Sequence, residues 1–430
     1  MKLLVFAHTP PPHHGQSYMV ELMLAGFGGD QRKRFRSGTQ AVLPAATERG
    51  IECYHVNARL SKHLEDIGDL RIGKLFLLLD YCAQAIWCRF RYGVTNFYYI
   101  PAPGKRSAVY RDWLVMFLCR RVFKRVIFHW HGSGLAKWLE TVVQVRSRSI
   151  HYRLMKQADL SIVLSNYGRG DAEKQLPLRV EVVGNGIPDP CPHFATNVLP
   201  WRQARLAARR LLCAGQKLPA ELDAAAGPEP QTLKVLFLGH CTRDKGLFDA
   251  VEGAILARQK LTAAGSPISL KLLVAGQFVH ADEEAEFHRL RAAAGGTVSY
   301  VGFVAGDKKR HLYEEADLFC FPSYLESFGL VLVEAMAFGL PCITTRCAAI
   351  PEVMGPDYHG LVAVQAPEQI AGALLRLMNE DPFEVLRRRF EERFTVERYL
   401  ANLAAALHSV EQQNSMALAR PDSLPARVPA

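Results

Sequence analysis

Two hydrophobic periods alternate along the chain. Short runs rich in β-branched and aromatic residues, at 2–7, 51–56, 96–100, 124–130, 159–164 and 180–183, read as strands. Between them, 15–27, 72–90, 107–122, 147–157 and 166–175 carry the three-to-four-residue spacing of helices. Such alternation of strands with helical segments predicts a parallel sheet with helices on both faces. The alternation breaks over 191–230, where Pro192, Pro200, Pro219, Pro228 and Pro230 surround an Ala/Arg-rich piece from Arg202 to Leu212. It resumes with strands at 234–238, 270–275, 298–301, 317–322 and 342–344. The expected fold class is therefore α/β, with two doubly wound Rossmann-like domains. The N-terminal domain spans 1–190, a linker or insertion 191–230, and the C-terminal domain 231–394. A helix over 395–413 is expected to pack back on the N-terminal domain, and 414–430 to form a disordered tail. Ligands of open α/β sheets bind beyond the carboxyl ends of the strands, so two facing domains would enclose the active site in the cleft between them.

Length supports two domains, because 430 residues exceed the size at which one core stops growing. A composition 49% hydrophobic and 22% charged is too apolar for a disordered chain. Ten cysteines are scattered without a C-x-x-C or a Cys/His ligand spacing, which suits reduced thiols in a cytoplasmic protein. The opening apolar run is cut by His8 and Pro10-Pro11-Pro12, so it reads as a strand and not as a signal segment. Lys74, Asp80 and Gln84 interrupt the most apolar stretch, and no membrane-spanning helix is expected. Charge is uneven. Residues 1–190 hold 27 Lys and Arg against 15 Asp and Glu, and the rest 25 against 27. A basic first half suits a phosphorylated substrate, an anionic membrane surface or nucleic acid, and no nucleic-acid module is present. Arg106, Arg111, Arg120, Arg121, Lys124 and Arg125 flank a helix rich in Trp, Phe, Leu and Val, and 72–91 is similarly amphipathic. Either segment could lie on a membrane; core-facing helices with solvated ends account for them equally.

The chemistry concentrates between Phe321 and Pro341. A strand ends at Pro322, a loop holds Glu326, and a helix is expected to start near Phe328. From Phe328 to Phe338 every residue is apolar or glycine except Glu334, so its carboxylate needs a partner that the helix itself lacks. A ribose diol would serve, as would a basic residue elsewhere, such as Arg346. The amides of Ser327, Phe328 and Gly329, at the helix start, suit a phosphate. A second segment, Leu236 to Gly246, has a strand end, a loop with Lys245, and a helix start.

The run Pro-Ser-x-x-Glu-Ser-Phe-Gly-x-x-x-x-Glu-Ala-Met-Ala-x-Gly-x-Pro resembles the donor-binding motif of family 4 glycosyltransferases, retaining enzymes of the GT-B fold. The resemblance implies that Glu334 holds the ribose of a nucleoside diphosphate sugar, that Glu326 lies close to the transferred sugar, and that Lys245 neutralises the diphosphate. His240 stands where the family often has arginine, and Arg243 is the expected substitute guanidinium. Aligned on the following glycine, His131 and not His129 matches the family's strand-end histidine near the sugar. In the loop His13-His14-Gly15-Gln16-Ser17 the family usually has two glycines, of which only Gly15 is present. Asn185-Gly186 resembles a turn near the donor. The implied reaction transfers a hexosyl unit to a glycan or lipid-linked acceptor in cell-surface or exopolysaccharide synthesis. No Asp-x-Asp metal clamp occurs, so no metal and no cofactor beyond the donor are expected, with Lys245 and helix amides stabilising the leaving group. An epimerase or phosphorylase of the same fold and a non-catalytic binding protein are the alternatives. P-loop and nucleophile-elbow motifs are absent.

Overall fold

A computed structural model describes residues 1–11, 14–33, 49–60 and 72–418. The chain divides into two compact units. The first comprises Met1–Leu164 and Gly168–Val183, joined by the chain from Tyr399 on; the second comprises Gly184–Arg398 with Ser165–Tyr167.

The first unit carries β1 (Lys2–Ala7), α1 (Gly15–Gly26), β2 (Glu52–Asn57), α2 (Ile72–Tyr92), β3 (Asn96–Tyr99), α3 (Arg106–Cys119), β4 (Arg125–Trp130), α4 (Leu135–Thr141), α5 (Val145–Met155), β5 (Leu160–Val163), α6 (Arg169–Glu173) and β6 (Val180–Val182). Its sheet runs β2-β1-β3-β4-β5-β6 with every neighbouring pair parallel. Leu3, Leu4 and Val5 are wholly buried, as strands covered on both faces must be. Right-handed crossovers put α1 on one face of this sheet and α2, α3 and α5 on the other. Packing agrees: α3 lies against both α2 and α5. On the α1 face, Gly26 leaves room for Leu400 at a distance where a Cβ would collide.

The second unit carries α7 (Leu199–Cys213), α8 (Ala220–Ala226), β7 (Thr232–Leu238), α9 (Leu247–Ala263), β8 (Ser269–Ala275), α10 (Ala281–Ala293), β9 (Val298–Gly302), α11 (Gly306–Glu315), β10 (Leu318–Phe321), α12 (Leu330–Ala337), β11 (Cys342–Thr345), α13 (Ile350–Met354), β12 (Leu361–Val362), α14 (Pro367–Leu377) and α15 (Phe383–Arg393). The sheet order is β12-β11-β10-β7-β8-β9, again all parallel. A last helix, α16 (Val396–Leu418), leaves the second unit and belongs to the first from Tyr399 on.

Three expectations are corrected. Residues 191–230 are not a linker: they belong to the second unit, whose boundary falls at Gly184. Arg202, Arg205 and Arg209 share one face of α7 and are 2%, 0% and 3% exposed. Arg205 donates to both carboxylate oxygens of Asp317, at 2.9 and 3.1 Å, and Arg209 to one of them at 3.1 Å. Arg202 caps the carbonyls of Phe338 and Tyr313 at 3.0 and 2.8 Å. Burial alone would raise the Asp317 pKa, but Arg209 and Arg205 hold it below the usual carboxylate range. The arginines of the Ala/Arg-rich piece are thus an internal clamp on the start of β10. The second correction is that the last helix continues to Leu418, five residues into the expected tail; residues 419–430 lie outside the described chain. Thirdly, 166–175 is a 3-10 turn, Asn166–Gly168, followed by the short α6, and α4 and β12 were not anticipated.

Candidate active site

In the second sheet β7 has β8 and β9 on one side and β10, β11 and β12 on the other. The loops after β7 and β10 therefore flank a topological switch point, where an open α/β sheet leaves a crevice at the carboxyl ends of its strands. Both glycosyltransferase-like segments sit on these two loops. The β7 loop makes one 3-10 turn, Arg243–Lys245, and leaves it at Gly246 with φ of 75°. A Cβ at Gly246 would come 2.1 Å from the Pro322 carbonyl oxygen, so glycine is required both for the left-handed backbone and for the contact between the loops. Tyr324 N–H donates to the Asp244 carbonyl at 2.8 Å and closes the same contact from the other side.

This arrangement brings three expected residues together. Lys245 Nζ donates to Glu326 Oε1 in a part-buried ion pair. His240 is half-buried beside them, and burial first, then the Lys245 charge, lowers its pKa. A neutral imidazole thus stands beside the cation. Arg243 is not part of the group. Its guanidinium grips both oxygens of Glu286 on α10, at 2.8 and 2.7 Å, and lies 4.3 Å from the Phe248 ring centroid. The Glu286 hydrogen bond raises its pKa.

The helix after β10 starts at Leu330, with Gly329 as N-cap at φ of 88°. It begins two residues later than expected, so the orphan amides at its start are those of Gly329, Leu330 and Val331, of which Gly329 belongs to the anticipated group. Phe328 instead packs its ring edge-on to Phe394, centroids 5.8 Å apart. Glu334 lies one turn into α12 and is only 15% exposed. Its partners come from α11: Lys309 Nζ donates to Oε1 at 2.5 Å, and the Tyr313 hydroxyl to Oε2 at 2.9 Å. Arg346 is not one of them: it donates to the Pro356 carbonyl at 2.9 Å. Burial and the neighbouring Glu334 push the Tyr313 phenol well above its ordinary pKa, so it acts as a donor. Lys309 and Tyr313 were missed. The only available signal was their i, i+4 spacing, which places both on one side of a helix.

In the first unit the candidates lie at the carboxyl ends of β1 and β4. His14 is the N-cap of α1: its Nδ1 accepts the Ser17 amide at 3.3 Å, while Ser17 Oγ accepts the His14 amide at 3.2 Å. Nδ1 being an acceptor, a neutral His14 carries its proton on Nε2 and donates it to His8 Nε2 at 2.8 Å. Burial, then His14, lowers the His8 pKa to about 4. His14 thus caps the helix with its own ring, with Gly15 as the first helical residue. His13 lies outside the described residues. His129 is wholly buried, with Nδ1 at 2.5 Å from the Tyr98 hydroxyl. His131, whose ring lies 4.2 Å from that of His129, keeps its Nε2 without a partner among the described residues. Burial, then the His14 charge, lowers its pKa to about 3, so it is a neutral hydrogen-bonding group at neutral pH. Asn185 belongs to the second unit, is 3% exposed, and has an Oδ1 without a partner among the described residues. Among the described residues no cluster of His, Cys, Asp and Glu is placed to hold a metal ion, and no helix is long and apolar enough to cross a membrane.

Residues 220–395 match the family model described as glycosyl transferases group 1, a span that contains the second sheet and its switch-point loops. The chain resembles an uncharacterized glycosyltransferase of Methanocaldococcus jannaschii, 29% identical over 36% of this chain and 38% of that protein. It also resembles the amylovoran biosynthesis glycosyltransferase AmsK of Erwinia amylovora, 28% identical over 45% of this chain and 50% of that one. The chain therefore spans half or less of the length of these relatives. Likeness of fold extends further. The Anabaena protein HepE, solved with UDP-glucose, superposes with a TM-score of 0.59 at 17% identity, over 95% of this chain and all of that one. Sucrose-phosphate synthase of Thermosynechococcus elongatus gives 0.61 at 19%, over 97% of this chain and all of that one. The two six-stranded parallel sheets with their helices are those of the GT-B fold.

Proposed function

We propose that the protein is a retaining glycosyltransferase that moves a hexosyl unit from a nucleoside diphosphate sugar to a glycan or lipid-linked acceptor in cell-surface polysaccharide synthesis. The observation that carries this reading is the switch point of the second sheet, where the Lys245–Glu326 pair and Glu334 stand on two touching loops and the helix that follows. Departure of a nucleoside diphosphate concentrates negative charge on the leaving group. Lys245 and the first amides of α12 supply positive charge in a part-buried setting, which does for the leaving group what a metal ion would otherwise do. Glu326 holds the ammonium in place and, once a diphosphate shares that cation, is released to hydrogen-bond the sugar. Glu334 accepts from the ribose hydroxyls with oxygen lone pairs that Lys309 and Tyr313 leave open. His131 is proposed as a neutral hydrogen-bonding group for substrate. Retention follows if the donor's own phosphate oxygen takes the acceptor proton on the departing face, so that positioning and charge stabilisation replace a protein nucleophile. The relative that acts in amylovoran biosynthesis supports the polysaccharide assignment, and a similar phosphatidyl-myo-inositol mannosyltransferase of Mycobacterium leprae, 36% identical over 126 residues, supports a lipid-linked acceptor.

The test is a panel of nucleoside diphosphate sugars titrated calorimetrically in excess chelator, followed by turnover with each binder. One donor should bind, and Glu334→Ala should weaken it about tenfold or more. Glu326→Ala should leave binding within a few-fold and lower turnover about a hundredfold. Wild-type behaviour of both variants would refute the reading. Conversion of the donor without any acceptor would replace it with an epimerase.

A further inference from the structure

Helix α2 is amphipathic in an unusual sense: both of its long faces are apolar. One, formed by Leu78, Cys82, Ala85 and Cys88, is 0–5% exposed and packs into the core of the first unit. The other points outward. Phe76 is 68% exposed, Leu79 38%, Trp87 53% and Phe90 74%. Their spacing of three, eight and three residues follows whole turns of a helix, so they form one stripe. The neighbouring α3, packed against α2, also exposes Tyr110 and Phe117, at 46% and 68%. Soluble proteins scatter single exposed aromatics, but an outward stripe on one helix with further exposed aromatics on the helix packed against it marks a surface that is covered in use.

The charge around the stripe says by what. Arg91 closes α2, Arg106 opens α3, Arg121 and Lys124 follow α3, and Arg146 and Arg153 lie on α5; all six are exposed. The three helices contain only two acids. Asp112 is wholly buried, bound to Arg111 and Tyr99, which leaves Asp80 as the one acid exposed. A patch of aromatics framed by arginines, with almost no acid, complements a surface that is apolar within and anionic at its rim. We propose that the outer face of α2, α3 and α5 docks on an anionic lipid bilayer, with Phe76, Trp87, Phe90 and Phe117 entering the interface and the flanking basic residues meeting the headgroups. A second copy of the chain would meet basic residues with basic residues, and a purely apolar protein partner would leave the arginines without counter-charge.

The test is co-sedimentation of the full chain with phosphatidylcholine vesicles with and without phosphatidylglycerol, at low and high salt, with analytical ultracentrifugation of the free protein. The expected result is binding that needs phosphatidylglycerol and weakens with salt. Trp87→Ser with Phe90→Ser should lower partitioning about tenfold or more, and Arg91→Gln with Arg121→Gln and Lys124→Gln about fivefold per residue removed. All of these side chains are exposed, so unchanged thermal unfolding should accompany both losses. No binding to anionic vesicles, or binding that neither variant weakens, would overturn the proposal. So would a dimer in free solution that the aromatic variant dissociates. No nucleotide is present, so the outcome is read independently of donor binding.

Discussion

At the scale of single residues, Glu334 is held by two groups and yet remains reachable. Lys309 is about a third exposed, so its ion pair is worth little to folding; Lys309→Met should change stability by under about 1 kcal/mol in a chemical denaturation series. Donor affinity is a different matter. Without the ammonium the carboxylate loses the contact that fixes its rotamer, and binding should weaken several-fold, with Lys309→Arg restoring most of it. A Lys309→Met protein with unchanged donor affinity would show that the pair is only structural. His14 invites a second comparison. Its ring caps α1 in place of the Ser, Thr, Asp or Asn usual at that position, so His14→Ala should cost about 1 kcal/mol of stability, whereas His14→Asn should cost less.

At the scale of elements, the strands and most helices were legible because short runs rich in β-branched and aromatic residues alternate with longer segments of helical period. The motif on the loop and helix after β10 was legible as well, since a single acid in an apolar helix demands a partner. The partner's identity was not. Lys309 and Tyr313 stand 25 and 21 residues upstream on a separate helix, and only folding brings α11 beside α12. The same reason hid the role of α7. The partner of Arg205 and Arg209, Asp317, stands more than a hundred residues away and is placed against them only by folding. Helix α4 is two turns long and β12 two residues, too short for either period to register. Two predictions belong here. Asp317→Asn leaves two buried guanidinium groups without their counter-charge and should destabilise the second unit by about 3–5 kcal/mol, read as a lowered unfolding midpoint. Gly246→Ala must move the Pro322 carbonyl and strain the backbone, at a cost of about 1–3 kcal/mol. It should also separate Lys245 from Glu326, so the loss of turnover should exceed that of an equally destabilised variant elsewhere.

At the scale of the whole molecule, the first unit buries histidines that the fold keeps neutral. Burial lowers the pKa of His8, His55 and His151 to about 4 and that of His131 to about 3. An unfolded histidine takes up a proton near pH 6.5, so below that pH the unfolded state binds more protons than the folded one. Stability should be fully present above about pH 6.5 and fall steadily towards pH 4, with a slope steeper than one histidine can give. Denaturant midpoints measured across that range check this, and a flat profile would contradict it.

The proposed function requires the second unit to hold a sugar nucleotide at its switch point. A crystal structure with the best-binding nucleoside diphosphate sugar tests this most directly. The predicted result has the diphosphate within hydrogen-bond distance of Lys245 Nζ and the ribose hydroxyls on the Glu334 carboxylate, with Lys309 and Tyr313 still in place. A nucleotide bound elsewhere, with Glu334 still occupied by Lys309 and Tyr313 alone, would contradict it.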